Sequence, residues 1–503
     1  MEEKKEEEGQ GQSSWPSGQE AQPLNARRPG GSWTLLGLAI LALWVLGCGD
    51  DSDPSTDSGV DAEGSDAGVD AAPSDSGVDG WAACTTPEDV GPAPLPDAGA
   101  PAPPPALDCG EPTFPEGTSL RRWPYLQSVT PTAARVVWTT TGGGAGTLRY
   151  RGPGDVDWRE ITASAELFER SRTDDTEDYV AYEVRLTGLS PSAAYCYEIE
   201  EDGVVLASGL GFRTAWTGAG AEDGQRAVRV LAFGDSGNGS AEQRRLADRF
   251  MDNDYDLFLH LGDMAYDSGT FPEFEQNVFG VYRRMLHRVP TWPTIGNHED
   301  KTERARPYLD VYSLPEMALR ESDQERYYSF DYGDVHFVSI DSNDGTLIPI
   351  ALDRSGADDD MLDWLAQDLA ASDAPWKIAF FHHPPYSSSS RSPNLGVRST
   401  VVPILEEGGV DLVLAGHNHH YERTFPILQG CLAQRDDSAI TYIIAGAGGA
   451  GPSGDISPQW WHVASNDRLH SYVELDIHGC VAEVRAIAID GTLIDSFELD
   501  GCD

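Results

Sequence analysis

Five short clusters rich in glycine, carboxylate, amide and imidazole residues constrain the fold of this chain most strongly. They are Gly234-Asp235-Ser236-Gly237, Gly262-Asp263-Met264-Ala265-Tyr266, Gly296-Asn297-His298-Glu299, Phe381-His382-His383-Pro384-Pro385-Tyr386 and Gly416-His417-Asn418-His419-His420-Tyr421-Glu422-Arg423. Most of them follow a short apolar run that predicts a β-strand. Ligands of α/β domains bind at the carboxyl ends of strands. We therefore expect the clusters to meet in one site.

The segments around the clusters alternate between strand and helix patterns. Apolar runs predict buried strands, and helical spacing of apolar residues predicts helices between them. The predicted strands are 228–233, 257–261, 376–381, 410–415 and 442–444, with a hairpin of 473–477 and 481–487, and the predicted helices are 241–251 and 359–371. This order is typical of an α/β domain, which we place at residues 226–503.

The residue types in the clusters indicate metal binding. Carboxylates, amide oxygens and imidazoles together form a ligand set for two divalent or trivalent ions. Tyr266 adds a phenol, whose ordinary pKa is about 10. It becomes a phenolate ligand near neutral pH only beside a strongly Lewis-acidic ion such as ferric iron. The alternative is that Tyr266 packs against its loop and that both ions are divalent.

The five clusters resemble the five sequence blocks of the calcineurin-like metallophosphoesterases, and Tyr266 makes the resemblance specific to the purple acid phosphatases. This resemblance implies that each metal has three ligands of its own and that one further ligand bridges the two metals. The first metal would be held by Asp235, Tyr266 and His419, the second by Asn297, His382 and His417, and the bridge would be Asp263. It also implies ferric iron in the tyrosine site, with zinc, manganese or ferrous iron in the other.

The same resemblance implies a reaction. Phosphate monoesters would be hydrolysed by attack of a metal-held hydroxide on phosphorus, with acid phosphatase activity and a small phosphate ester as substrate. His298 would contact the phosphate and protonate the leaving group, or else serve as a structural histidine that holds Glu299. Relatives carry further histidines after the fourth block, where this chain has serines and Arg391. We expect Arg391, His383 or His420 to supply substrate contacts instead.

Two other functions stay open at this stage. The same dimetal core serves phosphodiesterases that act on nucleotides or on phospholipid head groups. A surface lipoprotein could also use the preceding domain for adhesion while the metal core has no catalytic role. The formal net charge of −48 argues against nucleic acid as a partner, because both would be polyanions.

Residues 118–218 precede the α/β domain and are β-rich. Strand patterns lie between glycine-rich turns at 134–139, 148–151, 182–186 and 194–199. The phrase Leu189-Ser190-Pro191 before Tyr195-Cys196-Tyr197 is similar to a turn of fibronectin type III modules. The predicted fold is therefore an all-β fibronectin-like sandwich followed by a four-layer α/β domain, in which two mixed sheets are flanked by helices.

The first 48 residues predict export. Arg27 and Arg28 precede an apolar run at 33–46 that is short for a membrane span and suits a signal peptide. Val45-Leu46-Gly47-Cys48 resembles the lipobox of bacterial lipoproteins, which implies lipidation of Cys48. We expect a lipoprotein of the bacterial cell envelope that touches the membrane only through its anchor, or a secreted protein. An uncleaved single-pass anchor is the alternative, and a twin-arginine signal stays open.

Residues 49–117 predict a disordered acidic and proline-rich linker, because too few apolar residues are present to offset the entropy of ordering. Its repeated Asp-x-Gly-x-Asp phrases are too few for a calcium-binding coil. Besides Cys48 the chain has six cysteines, an even number that suits disulfides in an oxidising compartment. Six cysteines allow 15 pairings, and the sequence does not choose among them.

Overall fold

The computed structural model describes residues 108–217, 227–318, 320–343, 359–433 and 438–501. All of them belong to one compact unit, Ser76–Asp503. The predicted signal peptide, Cys48 and most of the predicted linker lie outside the described residues. Within these residues, none of the helices combines the length and apolar character that crossing a bilayer requires.

The first domain is the predicted β-sandwich. Its described elements are β1 (Leu120–Gln127), β2 (Ala133–Thr140), β3 (Gly146–Arg151), β4 (Arg159–Thr162), β5 (Ser164–Phe168), α1 (Arg170–Thr173), β6 (Tyr179–Thr187), β7 (Ala194–Glu201) and β8 (Val204–Arg213). The strands form two sheets in the orders β1-β2-β6-β5 and β4-β3-β7-β8. Inward-facing residues such as Trp138, Leu148 and Tyr197 fill the core between them. In β7 every second residue is buried, which gives the strand one core face.

The last ten residues of the predicted linker are ordered, contrary to the expected disorder. Residues 108–117 contact the sandwich: Cys109 forms a disulfide with Cys196, and Thr113 pairs with Ser208. Phe114 adds a ring stacked on Trp123, with centroids 3.4 Å apart. The segment is rich in proline and glycine, so its local sequence predicted disorder and did not predict these long-range contacts. Cys431 and Cys480 each take part in a disulfide as well.

The second domain is the predicted α/β domain. Its strands are β9 (Val228–Phe233), β10 (Leu257–His260), β11 (Thr291–Pro293), β12 (Tyr328–Tyr332), β13 (Val335–Ser339), β14 (Trp376–Phe381), β15 (Leu412–Ala415), β16 (Tyr421–Thr424), β17 (Ile427–Leu428), β18 (Cys431–Leu432), β19 (Thr441–Ala445), β20 (His462–Asn466), β21 (Ser471–His478), β22 (Val481–Ala488) and β23 (Leu493–Asp500). Its helices are α2 (Ala241–Phe250), α3 (Phe271–Phe274), α4 (Gly280–Leu286), α5 (Asn297–Asp300), α6 (Arg306–Val311), α7 (Asp359–Ala371), α8 (Leu395–Thr400) and α9 (Val402–Glu407), with a π-helical turn at Glu275–Phe279 and a 3-10 turn at Glu321–Asp323.

Two mixed sheets form the centre of this domain. Among the described residues, one sheet has the order β11-β10-β9-β21-β22-β23 and the other the order β12-β13-β14-β15-β19-β16-β20. The sheets pack face to face, and Trp292 of the first stacks on Phe330 of the second at 3.7 Å between centroids. On β14, Phe380 faces this shared core, while Phe381 faces the core beneath α7, α8 and α9. Phe233 and Phe250 join β9 to α2 on the opposite side, so the predicted four layers are confirmed.

The sandwich is hydrogen-bonded directly to the α/β domain. Tyr125 Oη donates to the Val311 carbonyl at 2.5 Å, and Tyr197 Oη donates to the His287 carbonyl at 2.6 Å. Arg122 forms an ion pair with Glu275 and lies 4.0 Å above the ring of Phe279. The contacts of Arg122 and Tyr197 fix the segment from the π-helical turn to the end of α4, and the Tyr125 contact fixes α6.

His336 gives the α/β domain a pH-dependent stability. Its Nδ1 lies 2.8 Å from Asp331 and its Nε2 lies 2.9 Å from Asp368. Burial by itself lowers the pKa of His336, but the two carboxylates raise it to about 9. The unfolded chain has a histidine pKa of about 6.5. The stabilisation is therefore complete below about pH 6.5 and is lost as the pH rises towards 9.

We expect His336→Gln to lower the free energy of unfolding by on the order of 1 to 3 kcal/mol at pH 6, and by clearly less at pH 9.5. Urea titration of both proteins at the two pH values measures the difference. A destabilisation of equal size at both pH values would show that His336 contributes packing and no charge.

Candidate metal centre

The predicted site is built by the loops that follow five strands. The strands β11, β10 and β9 run parallel to one another in one sheet, and β14 and β15 run parallel in the other. The loops after β9 and β15 are joined by the His417 N–H, which donates to Asp235 Oδ2 at 2.7 Å. Gly416 allows this approach, because a Cβ at this position would lie 2.7 Å from the same oxygen. The site thus lies where the two sheets meet.

One set of donor atoms surrounds the phenol of Tyr266. Its Oη lies 3.3 Å from Asp235 Oδ1, 3.2 Å from Asp263 Oδ2 and 3.4 Å from His419 Nε2. His419 Nε2 is also 3.4 Å from Asp235 Oδ1. Three other donor atoms therefore lie within 3.4 Å of the phenol oxygen.

A second set of donor atoms adjoins the first. His382 Nε2 lies 3.2 Å from Asn297 Oδ1 and 3.3 Å from His417 Nδ1, and the last two atoms are 2.8 Å apart. The fourth donor is Asp263 Oδ2, which lies 3.2 Å from His382 Nε2. The same oxygen of Asp263 therefore belongs to both sets.

The spacing of these atoms fits two metal ions. Ligand atoms at right angles around an ion with bonds of about 2.1 Å lie about 3.0 Å apart. The orientation of the imidazoles fits as well. Nδ1 of His382 faces the Leu261 carbonyl at 2.8 Å, and Nδ1 of His419 faces the Gly451 carbonyl at 2.9 Å. Donation to these carbonyls leaves the Nε2 lone pairs free for an ion.

The charges of the cluster fit cations too. Asp235 and Asp263 are fully buried, and among the described residues their ion-pair partners are histidines only. Burial by itself raises the pKa of Asp263, but His382 and His298 lower it well below its usual range. Burial lowers the pKa of His382, and Asp263 raises it to about 9. Two buried carboxylates this close together need positive charge beside them, which two metal ions would supply.

Tyr266 has a high pKa in the protein alone. Burial raises its pKa well above the ordinary value, and the carboxylates of Asp235 and Asp263 raise it further. The phenol therefore keeps its proton unless an ion displaces it. Only a strongly Lewis-acidic cation displaces this proton, because it stabilises the phenolate directly.

Buried polar residues hold the ligand loops in place. The Glu299 carboxylate accepts the N–H groups of Asp263, Met264, Ala265 and Gly296 at 2.7 to 3.0 Å. Burial and the Asp263 charge raise the pKa of Glu299 to about 7, whereas the N–H donors favour its ionised form. Asn277, in the π-helical turn, donates to the carbonyls of Gly237 and Tyr266 at 2.8 and 3.1 Å. Two ligand loops are thereby fixed to one helix segment.

Three of the other predicted residues border the cluster. His298 has its Nε2 at 3.8 Å from Asp263 Oδ2, and its ring lies 4.0 Å from that of Tyr266. His383 lies beside His417, with ring centroids 4.4 Å apart, and its Nδ1 is 2.9 Å from Ser342 Oγ. Arg391 is exposed and donates to the His417 carbonyl.

The predicted substrate contact of His420 disagrees with the structure. His420 is fully buried, and its Nε2 lies 3.0 Å from Glu422. Glu422 in turn accepts the N–H and the hydroxyl of Ser388. His419 faces the cluster, whereas the neighbouring His420 faces the interior. His420 therefore supports the serine loop from beneath.

Lys301 is a site residue that the sequence reasoning missed. Its Nζ lies 3.0 Å from the Asp267 carbonyl and 3.1 Å from His298 Nδ1. The chain has only four lysines in 503 residues. The sequence offered one indication of its place: Lys301 follows His298 by three residues beside a short helix, and residues with this spacing share one helix face.

Comparison with known proteins agrees with this geometry. A family model described as calcineurin-like phosphoesterase matches residues 228–421, and one described as purple acid phosphatase N-terminal domain matches residues 124–214. Together they cover more than half of the chain. Purple acid phosphatase 21 of Arabidopsis thaliana is 30% identical over 233 residues, which are 44% of this chain and 50% of that protein. Purple acid phosphatase 15 of the same plant is 28% identical over 54% of each chain.

A solved structure shows the same fold. It is a purple acid phosphatase isolated from yellow lupin (Lupinus luteus) seeds, with a TM-score of 0.63 and 21% identity over 75% of this chain and 74% of that one. The chain spans about half the length of the curated relatives described above. Residues 228–421 thus match the calcineurin-like phosphoesterase family and residues 124–214 the N-terminal domain of the purple acid phosphatases, and the chain shares the fold of the lupin enzyme.

Proposed function

We propose that this chain hydrolyses phosphate monoesters at a centre of two metal ions. The observation that supports it most directly is the pair of donor sets that share Asp263 Oδ2. Two ions in these positions neutralise the charge of a phosphoryl group and acidify a bound water. The residues that would hold them are Asp235, Tyr266 and His419 on one side, and Asn297, His382 and His417 on the other.

The chain supplies the remaining groups for the reaction. His298 directs Nε2 towards the cluster while Nδ1 faces the Asp267 carbonyl at 2.7 Å. These contacts at Nδ1 fix the ring so that Nε2 faces the position of a bound phosphate ester, where His298 would pass a proton to the leaving oxygen. Arg391 lies at the rim, where its guanidinium can bind a phosphoryl oxygen.

We propose ferric iron for the position beside Tyr266 and zinc, manganese or ferrous iron for the other. The phenol supports this assignment, since its raised pKa requires a strong Lewis acid for ligation. Asn297 and two histidines are neutral ligands, which suit a divalent ion.

The test of the function is phenol release from phenyl phosphate and from its diester, diphenyl phosphate. The full metal-loaded chain is assayed between pH 4 and pH 8. We expect faster turnover of the monoester. Turnover of the diester alone would favour the phosphodiesterase alternative. If metal-loaded protein releases nothing from either ester, the proposed function is wrong and the adhesion alternative gains support.

We also propose that the chain is exported and lipidated at Cys48. The sequence Val45-Leu46-Gly47-Cys48 supports this, and so does the disulfide between Cys109 and Cys196, because disulfides persist in oxidising compartments. Radioactive palmitate should label the wild-type chain in a bacterial host, and Cys48→Ser should lose the label. An unlabelled wild-type chain in the culture medium would indicate secretion without an anchor.

A further inference from the structure

We infer that Lys301 binds a second anionic group of the substrate, so that the preferred phosphate esters carry a carboxylate or a further phosphate. This inference rests on the proposed hydrolysis of phosphate monoesters at the metal centre. It names a residue that the ligand sets do not use. It also narrows the substrate class beyond phosphate esters in general.

The ammonium of Lys301 is positioned beside the metal centre and not within it. His298 separates the two: its Nδ1 faces Lys301 at 3.1 Å, and its Nε2 lies 3.8 Å from Asp263 Oδ2 on the other side of the ring. A phosphoryl group bound at the cluster would therefore be one imidazole ring away from the ammonium. A group attached to the leaving part of the ester can reach that position.

The Lys301 ammonium has binding capacity left over. An ammonium has three N–H donors, and the described partners of Lys301 Nζ are the Asp267 carbonyl and His298 Nδ1. The side chain is exposed, so its remaining donor faces solvent. Among the described residues, no carboxylate forms an ion pair with it. By contrast, the other described lysine is Lys377, whose Nζ lies 2.9 Å from the carbonyls of both Leu369 and Gly408.

A second cation lies on another side of the cluster. Arg391 reaches the site from the serine loop and donates to the carbonyl of His417. No ion pair with a carboxylate is found for it in the described part of the chain. Arg391 and Lys301 thus approach the cluster from two different loops. In a chain with a net charge of −48, two such cations at one site favour a substrate with two anionic groups.

The experiment compares two substrates that differ in one charge. They are 4-carboxyphenyl phosphate and the same phosphate monoester with its carboxyl group converted to a methyl ester. Both are assayed with the full metal-loaded chain at low ionic strength. We expect Lys301→Met to lower kcat/KM for the carboxylate substrate about tenfold relative to the methyl ester, mainly through KM. Lys301→Arg should restore most of the preference, and added salt should weaken it in the wild type.

Arg284→Met is the matched control. Arg284 is an exposed cation that pairs with Asp252 on the surface. The Arg284→Met substitution removes one positive charge that lies away from the cluster. It should leave the ratio of kcat/KM between the two substrates unchanged. A loss of the same size for both substrates in Lys301→Met, or no loss, overturns the inference and leaves Lys301 as a support for His298. Wild-type protein that hydrolyses neither substrate contradicts the proposed function instead, so the two failures are distinct.

Discussion

Asp263→Asn is expected to reduce phosphate release from phenyl phosphate by about 10³-fold or more. Asp263 Oδ2 is the oxygen that both donor sets share, at 3.2 Å from Tyr266 Oη and 3.2 Å from His382 Nε2. Asparagine has almost the same volume, so the loop keeps its packing. It removes the negative charge, however, and a neutral amide oxygen bridges two cations poorly.

The measurement combines initial rates with metal content determined by mass spectrometry of the purified protein. We expect wild-type protein to carry two metal ions per chain and Asp263→Asn to carry fewer. Asp252→Asn serves as the control, because Asp252 is exposed on the surface and pairs with Arg284. A variant at Asp263 that retains both metals and activity within about tenfold of wild type would contradict the bridging role.

Tyr266→Phe is expected to abolish the visible absorption band of the iron-loaded protein. A phenolate bound to ferric iron transfers charge to the metal and absorbs visible light, and phenylalanine has no oxygen to do so. The ring of Phe can still pack on His298, because it keeps the 4.0 Å contact between the two rings. We expect the variant to lose colour and ferric iron while the fold is retained.

Absorption spectra of both proteins after loading with iron provide the measurement, and circular dichroism checks the fold. Tyr255→Phe is the matched control, since that buried tyrosine donates to Glu474 at a separate position. If the wild-type band is absent, or persists in Tyr266→Phe, the phenol is not a ligand of ferric iron. The alternative, a packing role for Tyr266 with two divalent ions, would then be favoured.

The sequence predicted the elements around the site closely because those strands are buried on both faces. The runs at 228–233 and 376–381 coincide with β9 and β14, and the helix at 359–371 coincides with α7. A continuous apolar run between glycine-rich turns has few other stable arrangements. Local patterns failed at residues 108–117, where a disulfide and a β-bridge outweigh a composition that favours disorder.

The sequence by itself determined which residue types are available for metal binding and in what order they follow the strands. Residue type and local spacing carry that information, because they fix the donor atoms and the ends of the strands. Only the tertiary structure decided that a single oxygen of Asp263 lies 3.2 Å from both Tyr266 Oη and His382 Nε2, and that His420 faces the interior. The first of these facts depends on contacts between loops of two different sheets. Their geometry is set by the packing of the sheets, to which distant parts of the chain contribute.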